Sequence, residues 1–266
     1  MNTLSFPNPV ILRVILRTPN AARLAAFYQA LLGLVPQQDP ADRQSVSLRH
    51  PQTGATLITL TEDAEARPAS PQAPGLFHVA FLFAGLEEWR AAVKRAIRLA
   101  DGIHGASDHG VSWAVYLADS DGNGIELAWD KPDREWPWHG DQIRMMTRPL
   151  PLRGILLNGG TEPQSPGAFG IGHLHLQVAD LQVAATYQER LGLHVTQSDY
   201  PGAIFLARDR YHHHLALNSW RTDPRVVCPD RAVGLVGWDM TLGDAPQAAT
   251  WVDPNGYLVN LGRGVG

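Results

Sequence analysis

Internal repetition is the feature of this sequence of 266 residues that most restricts its fold. The segment FYQALLGL, which ends at Leu34, and the segment TYQERLGL, which ends at Leu193, have the same order of aromatic, polar and leucine positions. The interval from Asp119 to Glu126 also matches the interval from Asp253 to Asn260. These matches predict several copies of one supersecondary unit rather than one irregular domain.

Hydrophobic periodicity and turn residues predict the elements of each unit. The first unit has a strand over 10–17, a helix over 21–32 and a hairpin over 45–49 and 55–61. The second has a strand over 76–83, a helix over 86–99 and strands over 112–118 and 125–129. The third has a strand over 172–178, a helix over 181–191 and strands over 203–207 and 212–218. The fourth is abbreviated to a strand over 235–242 and the sequence DPNGYLVNLG.

The predicted fold class is therefore α+β, with four βαβββ-type units of which the fourth is shortened. Residues 131–168 are rich in proline, tryptophan and glycine, which is typical of a connection between structural units. We predict two units in residues 1–130, a linker segment over 131–168, and the third and abbreviated fourth units in residues 169–266.

Composition excludes several classes of function. The formal net charge is −4 with both signs interspersed, so no basic surface for nucleic acid is expected. No segment approaches the roughly 20 apolar residues of a membrane helix. The single cysteine, Cys228, excludes an intramolecular disulfide and fits a cytoplasmic location. Eleven histidines indicate metal or proton chemistry on a small molecule, and the sequence leaves a homo-oligomer open.

The best-preserved opening of a unit is the sequence GHLHLQVADLQVAATYQERLGL. Four units of this kind resemble the vicinal oxygen chelate superfamily, which includes glyoxalase I, fosfomycin-resistance proteins and extradiol dioxygenases. The phrases LFHVAF, GASDHGVSWAVYLADSDGNGIEL, YPGAIFL and YHHHLALNSW are similar to the bacterial catechol 2,3-dioxygenase branch. The resemblance covers nearly the whole chain. It implies that paired units form two open barrels and that one barrel holds a metal.

The resemblance implies that the first and last strands of a unit supply the metal ligands. His173 stands seven positions before Asp180, His78 holds the equivalent opening position, and Glu126 is the glutamate of the GNGIEL sequence. Two imidazoles and one carboxylate suit Fe(II), and Mn(II) is also compatible. Taken singly, a strand histidine is more often a hydrogen-bonded core residue or a surface residue than a metal ligand. His175 or His214 could replace an assigned residue if the register differs.

The other two units lack these ligands, since the first has Arg13 and the fourth has Trp238 and Asn260 at the corresponding positions. Pairing the first unit with the second would divide the three candidate ligands between two barrels. We therefore predict that the second and third units pair around the metal, and that the first and fourth form a structural barrel.

The resemblance also implies residues that handle protons and orient the substrate. His213 aligns with the acid–base histidine of the family, and strand alternation places it opposite to His212 and His214. Tyr116, ten positions before Glu126, corresponds to a tyrosine that hydrogen-bonds the substrate hydroxyl. His109 resembles a further substrate-side histidine, with a structural role in its loop as the alternative.

The function that the resemblance implies is an extradiol dioxygenase, which cleaves the ring of a small aromatic diol with O2 to give a semialdehyde. A glyoxalase-like isomerase or thiol transferase is the alternative within enzymes. The position of the additional glutamate of glyoxalase is Leu215 here, which favours the dioxygenase. A metal-free protein that binds an aromatic compound, as resistance proteins do, is the alternative outside enzymes.

Overall fold

The computed structural model of the chain is an α+β structure in which most elements are strands. It describes residues 10–40, 42–99, 102–159, 163, 165–241 and 249–262. Among these residues, no helix is both long and apolar enough to cross a membrane. The α+β class predicted from the repeats is confirmed.

The first unit follows the predicted order and contains one additional strand. Its elements are β1 (Val10–Thr18), α1 (Ala21–Leu32), β2 (Val35–Gln38), β3 (Ser45–Arg49) and β4 (Thr56–Glu62). The side chain of Asn20 accepts a hydrogen bond from the backbone N–H of Arg23 and caps α1, and Gly33 ends the helix with a φ of 72°. The sequence did not predict β2 because all four of its residues are exposed, so hydrophobic alternation does not mark it.

The second unit also contains a strand that hydrophobic periodicity did not predict. Its elements are β5 (Gly75–Phe83), α2 (Leu86–Arg98), β6 (Gly105–Asp108), β7 (Ser112–Ala118) and β8 (Gly124–Asp130). The strand β6 has the sequence GASD, which lacks large apolar side chains. The helix packs on the sheet through Trp89, whose buried indole Nε1 donates a hydrogen bond to the carbonyl of Leu127 at 2.9 Å.

The segment over 131–168 contains short elements that pack against the sheet. They are a 3₁₀ turn (Asp133–Glu135), β9 (Trp138–His139), β10 (Gln142–Ile143), β11 (Arg148–Pro149) and α3 (Leu152–Leu157). Strand β11 pairs with β6. Ile143 and Met145 pack with Phe205 in a small hydrophobic cluster separate from the main core. The division into domains on either side of this segment stays a prediction.

The last part of the chain forms the third unit and the shortened fourth. Its elements are β12 (Phe169–Gln177), a 3₁₀ turn (Leu181–Val183), α4 (Ala184–Leu191), β13 (His194–Gln197), β14 (Ala203–Ala207), β15 (Leu215–Asn218), β16 (Gly234–Thr241), β17 (Ala249–Val252) and β18 (Leu258–Gly262). Asp180 caps the 3₁₀ turn by accepting a hydrogen bond from the backbone N–H of Gln182, as the sequence predicts for the start of this helix.

One predicted strand is shorter than expected. We predicted a strand over 212–218, but β15 begins at Leu215, so the three histidines before it lie in irregular backbone. The carbonyl of His212 accepts a hydrogen bond from the hydroxyl of Thr196 at 2.6 Å instead of pairing with a neighbouring strand. We predicted that strand alternation orients His213 opposite to its neighbours. That reasoning is wrong, because residues 212–214 do not belong to a strand.

All strands described in the structure except β9 and β10, which pair with each other, belong to one sheet made of two halves. Antiparallel pairing of β5 with β12 forms the first half. We call the run β6-β7-β8-β5-β12-β15-β14-β13 the eight-stranded half, and the two-residue β11 is added at its edge, beside β6. Antiparallel pairing of β1 with β16 gives the seven-stranded half, in the order β2-β3-β4-β1-β16-β18-β17. One pair, Ile11 with Ile171, joins the halves. The second unit thus pairs with the third and the first with the fourth, as inferred from the distribution of ligands.

Two equivalent tyrosines account for the repeated helix sequences. The hydroxyl of Tyr28 on α1 donates to Asp119 Oδ2 at 2.9 Å, and that of Tyr187 on α4 donates to Asp253 Oδ2 at 2.7 Å. Burial raises the pKa of both tyrosines, so both remain neutral donors. Each tyrosine belongs to one half and its aspartate to the other, so these buried hydrogen bonds hold the halves together.

Candidate metal centre and active site

Three adjacent strands at the centre of the eight-stranded half carry the predicted metal ligands. The register places Ala80 of β5 opposite both Glu126 of β8 and His173 of β12. His78 lies two residues before Ala80 and therefore on the same face of β5. The sheet thereby brings together three side chains that are far apart in the sequence.

The three side chains converge on one point. The Nε2 of His78 lies 3.0 Å from Oε2 of Glu126, and the Nε2 of His173 lies 3.4 Å from the same oxygen. One ligand atom from each residue lies within 4.8 Å of the others. All three residues are at most 5% exposed. A carboxylate buried to this extent requires compensating positive charge, and two imidazoles alone supply it only when protonated.

The ionisation of these groups favours a ligand set. Burial by itself would raise the pKa of Glu126, but His173 and His78 together hold this pKa well below its ordinary value, so the carboxylate is ionised. Burial lowers the pKa of His78 and thereby favours its neutral form. An ionised carboxylate beside a neutral imidazole is the protonation state in which both groups bind a metal.

Unsatisfied nitrogens distinguish this group from an ordinary polar core. The Nε2 of His78 has no hydrogen-bond partner among the described residues, because its orientation to Glu126 does not suit a hydrogen bond. Most buried polar atoms have a partner, so a buried imidazole lone pair without one fits a cation ligand. The donors present, two imidazoles and one carboxylate, are the set that suits Fe(II), with Mn(II) also compatible.

His175, the alternative ligand in the sequence, lies beside the group rather than in it. It is two residues after His173 on the same face of β12, and its ring centroid lies 4.8 Å from that of His78. Its Nε2 also lacks a hydrogen-bond partner in the described part of the chain, and burial lowers its pKa well below the ordinary value. The convergent group contains His173 and not His175, so His175 is a neutral side chain of the cavity wall.

Tyr116 and His109 form a hydrogen-bonded pair at the edge of this group. Tyr116 pairs directly with Glu126 across β7 and β8. The Nδ1 of His109 lies 2.8 Å from the carbonyl of Met146 and must donate to it, so the neutral ring has an acceptor at Nε2. That nitrogen lies 2.6 Å from the Tyr116 hydroxyl, which therefore donates to it. The oxygen of Tyr116 keeps lone pairs for another donor.

The structure also separates the three consecutive histidines before β15. The ring of His213 lies 4.1 Å from that of His173, and His213 lines the cavity. The Nδ1 of His214 accepts a hydrogen bond from the backbone N–H of Arg208, and burial lowers the pKa of His214 to about 3. His213 thus occupies the predicted position, although irregular backbone rather than strand alternation places it there.

The candidate ligands, His175, Tyr116, His109 and His213 face one cavity of about 830 Å³, within the usual range for small-molecule sites. The cavity wall also contains four aromatic side chains, Phe77, Trp220, Tyr200 and Phe205. Sequence reasoning missed Tyr200 and Phe205, and the segment after β8 contributes Thr147, whose hydroxyl lies 2.7 Å from that of Tyr200. The cavity can therefore hold a flat aromatic molecule with one edge at the carboxylate.

Comparison with known proteins agrees with this geometry. Residues 10–127 match the glyoxalase/bleomycin resistance protein/dioxygenase superfamily. The chain is 35% identical over 191 residues to a catechol-2,3-dioxygenase of Bacillus subtilis, an alignment that covers 68% of this chain and 66% of that protein. The aligned region thus falls just short of two thirds of this relative.

Solved structures with low sequence identity have the same fold. A Bacillus subtilis protein provisionally assigned as a dioxygenase superposes with a TM-score of 0.63 at 12% identity, over 96% of this chain and 85% of that chain. Glyoxalase I of Zea mays superposes with a TM-score of 0.56 at 15% identity, over 96% of this chain and 92% of that chain. The fold of these structures therefore matches nearly the whole of this chain.

Proposed function

Because residues 10–127 match the glyoxalase/bleomycin resistance protein/dioxygenase superfamily and a catechol-2,3-dioxygenase is 35% identical over 191 residues, we propose that the chain belongs to this superfamily and is a metal-dependent extradiol dioxygenase acting on a catechol-type substrate. The observation that carries the proposal is the convergence of His78, Glu126 and His173 at the end of an aromatic cavity that also contains His213 and Tyr116. The proposed products are semialdehydes, formed by cleavage of a ring bond beside the diol with O2.

In this proposal His78, His173 and Glu126 hold Fe(II), with Mn(II) as the alternative. When bound, the metal supplies Lewis acidity towards the diol and redox chemistry towards O2. The three protein ligands lie on rigid central strands, and each is at least 95% buried. The ligand geometry is therefore fixed by the sheet before any substrate enters.

We assign His213 as the group that accepts a proton from a substrate hydroxyl. Burial lowers the pKa of His213 well below its ordinary value, so its imidazole is neutral and has a free acceptor nitrogen at pH 7. In the transfer the substrate O–H bond breaks and an N–H bond forms on the imidazole. The resulting imidazolium can return the proton to an oxygen atom of the opened product.

We assign Tyr116 to orientation of the second hydroxyl. Burial, with the Glu126 carboxylate as the next cause, raises the pKa of Tyr116 well above its ordinary value, so the phenol stays protonated. Its proton is donated to His109, and its oxygen is therefore the acceptor for a substrate hydroxyl. His109 positions Tyr116 and is in turn held by the carbonyl of Met146.

The walls of the cavity favour an aromatic substrate. Phe77 and His175 meet nearly edge to face, with ring centroids 5.0 Å apart, and Trp220 contacts both rings. Such surfaces stabilise a flat ring by burial of apolar area and exclude water from the reacting edge. Leu215, at the position of the additional glutamate of glyoxalase, is 1% exposed in the core and supplies no carboxylate, which favours the dioxygenase over the isomerase.

The test is anaerobic reconstitution with Fe(II) followed by addition of O2 and a panel of substituted catechols. We expect stoichiometric O2 consumption and yellow ring-cleavage products. Conversion of a glutathione hemithioacetal without O2 consumption would assign the chain to the glyoxalase-like isomerases. Tight binding of an aromatic compound with neither bound metal nor turnover would assign it to the binding proteins. Either result overturns the proposal.

A further inference from the structure

We propose that Asp130 and His212 form a hydrogen-bonded relay that fixes the tautomer and orientation of His213. The proposal rests on the proposed function for its catalytic consequence, but the tautomer itself can be measured without turnover. Neither Asp130 nor His212 belongs to the ligand group or contributes to the cavity wall among the described residues. Both are positioning residues because they act through His213.

The geometry of the relay is continuous. The Nε2 of His212 lies 3.1 Å from Oδ1 of Asp130, and its Nδ1 lies 2.8 Å from Nδ1 of His213. His212 is 1% exposed and His213 is 7% exposed, so water does not compete for these contacts. The other oxygen of Asp130 accepts a hydrogen bond from the hydroxyl of Tyr211 at 2.9 Å. The carboxylate is thus held on both of its oxygens.

The positions of the heavy atoms determine where the protons lie. An ionised carboxylate only accepts hydrogen bonds, so the Nε2 of His212 must carry the hydrogen that faces Asp130. In the proposed relay the ring of His212 carries only this one hydrogen, so its Nδ1 has a lone pair. The Nδ1 of His213 must donate to that lone pair, which leaves its Nε2 as the unprotonated nitrogen.

This tautomer gives His213 its chemical role. No hydrogen bond from the described residues uses the Nε2 of His213, and the side chain lines the cavity beside His173. The relay therefore presents a proton acceptor to the substrate. When Nε2 takes a proton, the positive charge on His213 is stabilised through His212 by the carboxylate of Asp130. The arrangement resembles the Asp–His pairing by which serine proteases hold a general base in one tautomer.

Aromatic side chains also shield His212, the central residue of the relay, from solvent. The indole of Trp136, from the segment that follows β8, lies 5.0 Å from the ring of His212. Tyr211 packs against His212 with ring centroids 4.1 Å apart. Asp130 is the last residue of β8, the strand that carries Glu126, so the same strand positions a metal ligand and the end of the relay.

The direct test is NMR of the full-length protein with ¹⁵N-labelled histidine, measured both metal-free and loaded with diamagnetic Zn(II). We expect His213 to carry its proton on Nδ1 and to show an unprotonated Nε2. In Asp130→Asn the amide can donate to His212, which reverses the tautomer of His212 and then that of His213. The matched control is His139→Gln, which changes an exposed histidine on β9 and should leave the His213 signals unchanged.

Turnover by the Fe(II) enzyme gives a second measurement. Asp130→Asn should lower kcat on the order of 10²-fold, with a smaller change in KM, because the acid–base group is misoriented rather than the substrate released. Tyr211→Phe keeps the carboxylate and should cost less than Asp130→Asn. A proton on Nε2 of His213 in the unmodified protein would overturn the relay, even if ring cleavage is observed. Absence of ring cleavage with the expected tautomer would instead refute only the proposed function.

Discussion

The two halves of the molecule have equivalent strand registers but fill the equivalent positions differently. Pairing places Arg13, Asp239 and Asn260 of the seven-stranded half where the eight-stranded half has His173, Ala80 and Glu126. The irregularities in β1, after Ile11 and Ile15, match those in β12 after residues 171 and 175. The backbone frame at the centre of each half is therefore the same, and the side chains distinguish the two centres.

In the seven-stranded half, the chain neutralises its own carboxylate. Nε of Arg13 lies 2.7 Å and its NH2 nitrogen 2.6 Å from Oδ2 of Asp239, while the amide of Asn260 donates to Oδ1 at 2.9 Å. The position equivalent to His78 is Gly237 rather than Trp238, and a Cβ there would lie 2.6 Å from the carbonyl oxygen of Leu258. A guanidinium occupies the space in this half, whereas the other half has two imidazoles beside a carboxylate. We infer that an internal cation closes the site in one half and that its absence in the other leaves room for an external cation.

The largest expected effect concerns metal binding. His78→Ala, His173→Ala and Glu126→Ala should each abolish stoichiometric metal and leave a folded protein, because each removes one of only three ligands. Asn260→Ala, at the position equivalent to Glu126, is the matched control and should keep full metal. Metal analysis after anaerobic reconstitution, with circular dichroism for folding, measures both. Full metal in two of the three ligand variants contradicts the assignment.

The eight-stranded half should also be the acid-sensitive half of the metal-free protein. Burial lowers the pKa of His214 to about 3, so the unfolded chain binds a proton between about pH 6.5 and 3 that the folded chain does not. This histidine therefore lowers the free energy of unfolding progressively as pH falls below 6.5, by up to about 5 kcal/mol near pH 3. His214→Phe should flatten the dependence measured by urea unfolding between pH 7 and 4. The control His139→Gln should retain it, and an unchanged slope in His214→Phe would contradict the prediction.

His213→Phe tests the separation of metal binding from proton transfer in this half. It removes no ligand, so bound metal should stay at the level of the unmodified protein. Turnover should fall on the order of 10²-fold or more, the usual contribution of an acid–base group. Metal content and kcat on the same preparation measure this. Unchanged turnover in metal-replete protein would contradict the assignment of His213 as the base and would make His175 and His109 the next candidates.

Tyr116→Phe should have a smaller effect because it removes one hydrogen bond to the substrate and keeps the ring. We expect a loss of about 0.5–1.5 kcal/mol in kcat/KM, the size of a hydrogen bond between neutral groups. Tyr200→Phe is a matched control that removes another cavity hydroxyl, bonded to Thr147, and should cost less. Equal losses in the two variants would remove the special role of Tyr116.

The smallest expected effect on the metal site comes from a substitution in the seven-stranded half. Asp239→Asn leaves the guanidinium of Arg13, whose side chain is 33% exposed, without its carboxylate partner. Because the pair is only partly buried, we expect a loss of about 1–2 kcal/mol in the free energy of unfolding and no change in metal content. Urea unfolding of the metal-free protein measures the first and metal analysis the second. Loss of metal in this variant would contradict the independence of the two halves.

Hydrophobic periodicity predicted the long elements well because they have a buried face. Helix α1 and strands β3, β7 and β14 have the predicted bounds, whereas the exposed β2 and the polar β6 were missed. The shortened β15 was missed for another reason, since a side-chain hydrogen bond from Thr196 replaces strand pairing at His212. A single sequence does not show such long-range competition for backbone groups.

The sequence by itself determined the repeated units through spacing and residue type. Its resemblance to a known superfamily supplied the three ligand candidates, and their distribution among the units predicted the pairing of the second unit with the third. Only the tertiary structure decided that His173 rather than His175 joins Glu126, and that Asp130 reaches His212 across 82 residues. These contacts depend on register and on irregular backbone, which arise when strands from distant parts of the chain compete to satisfy buried polar groups.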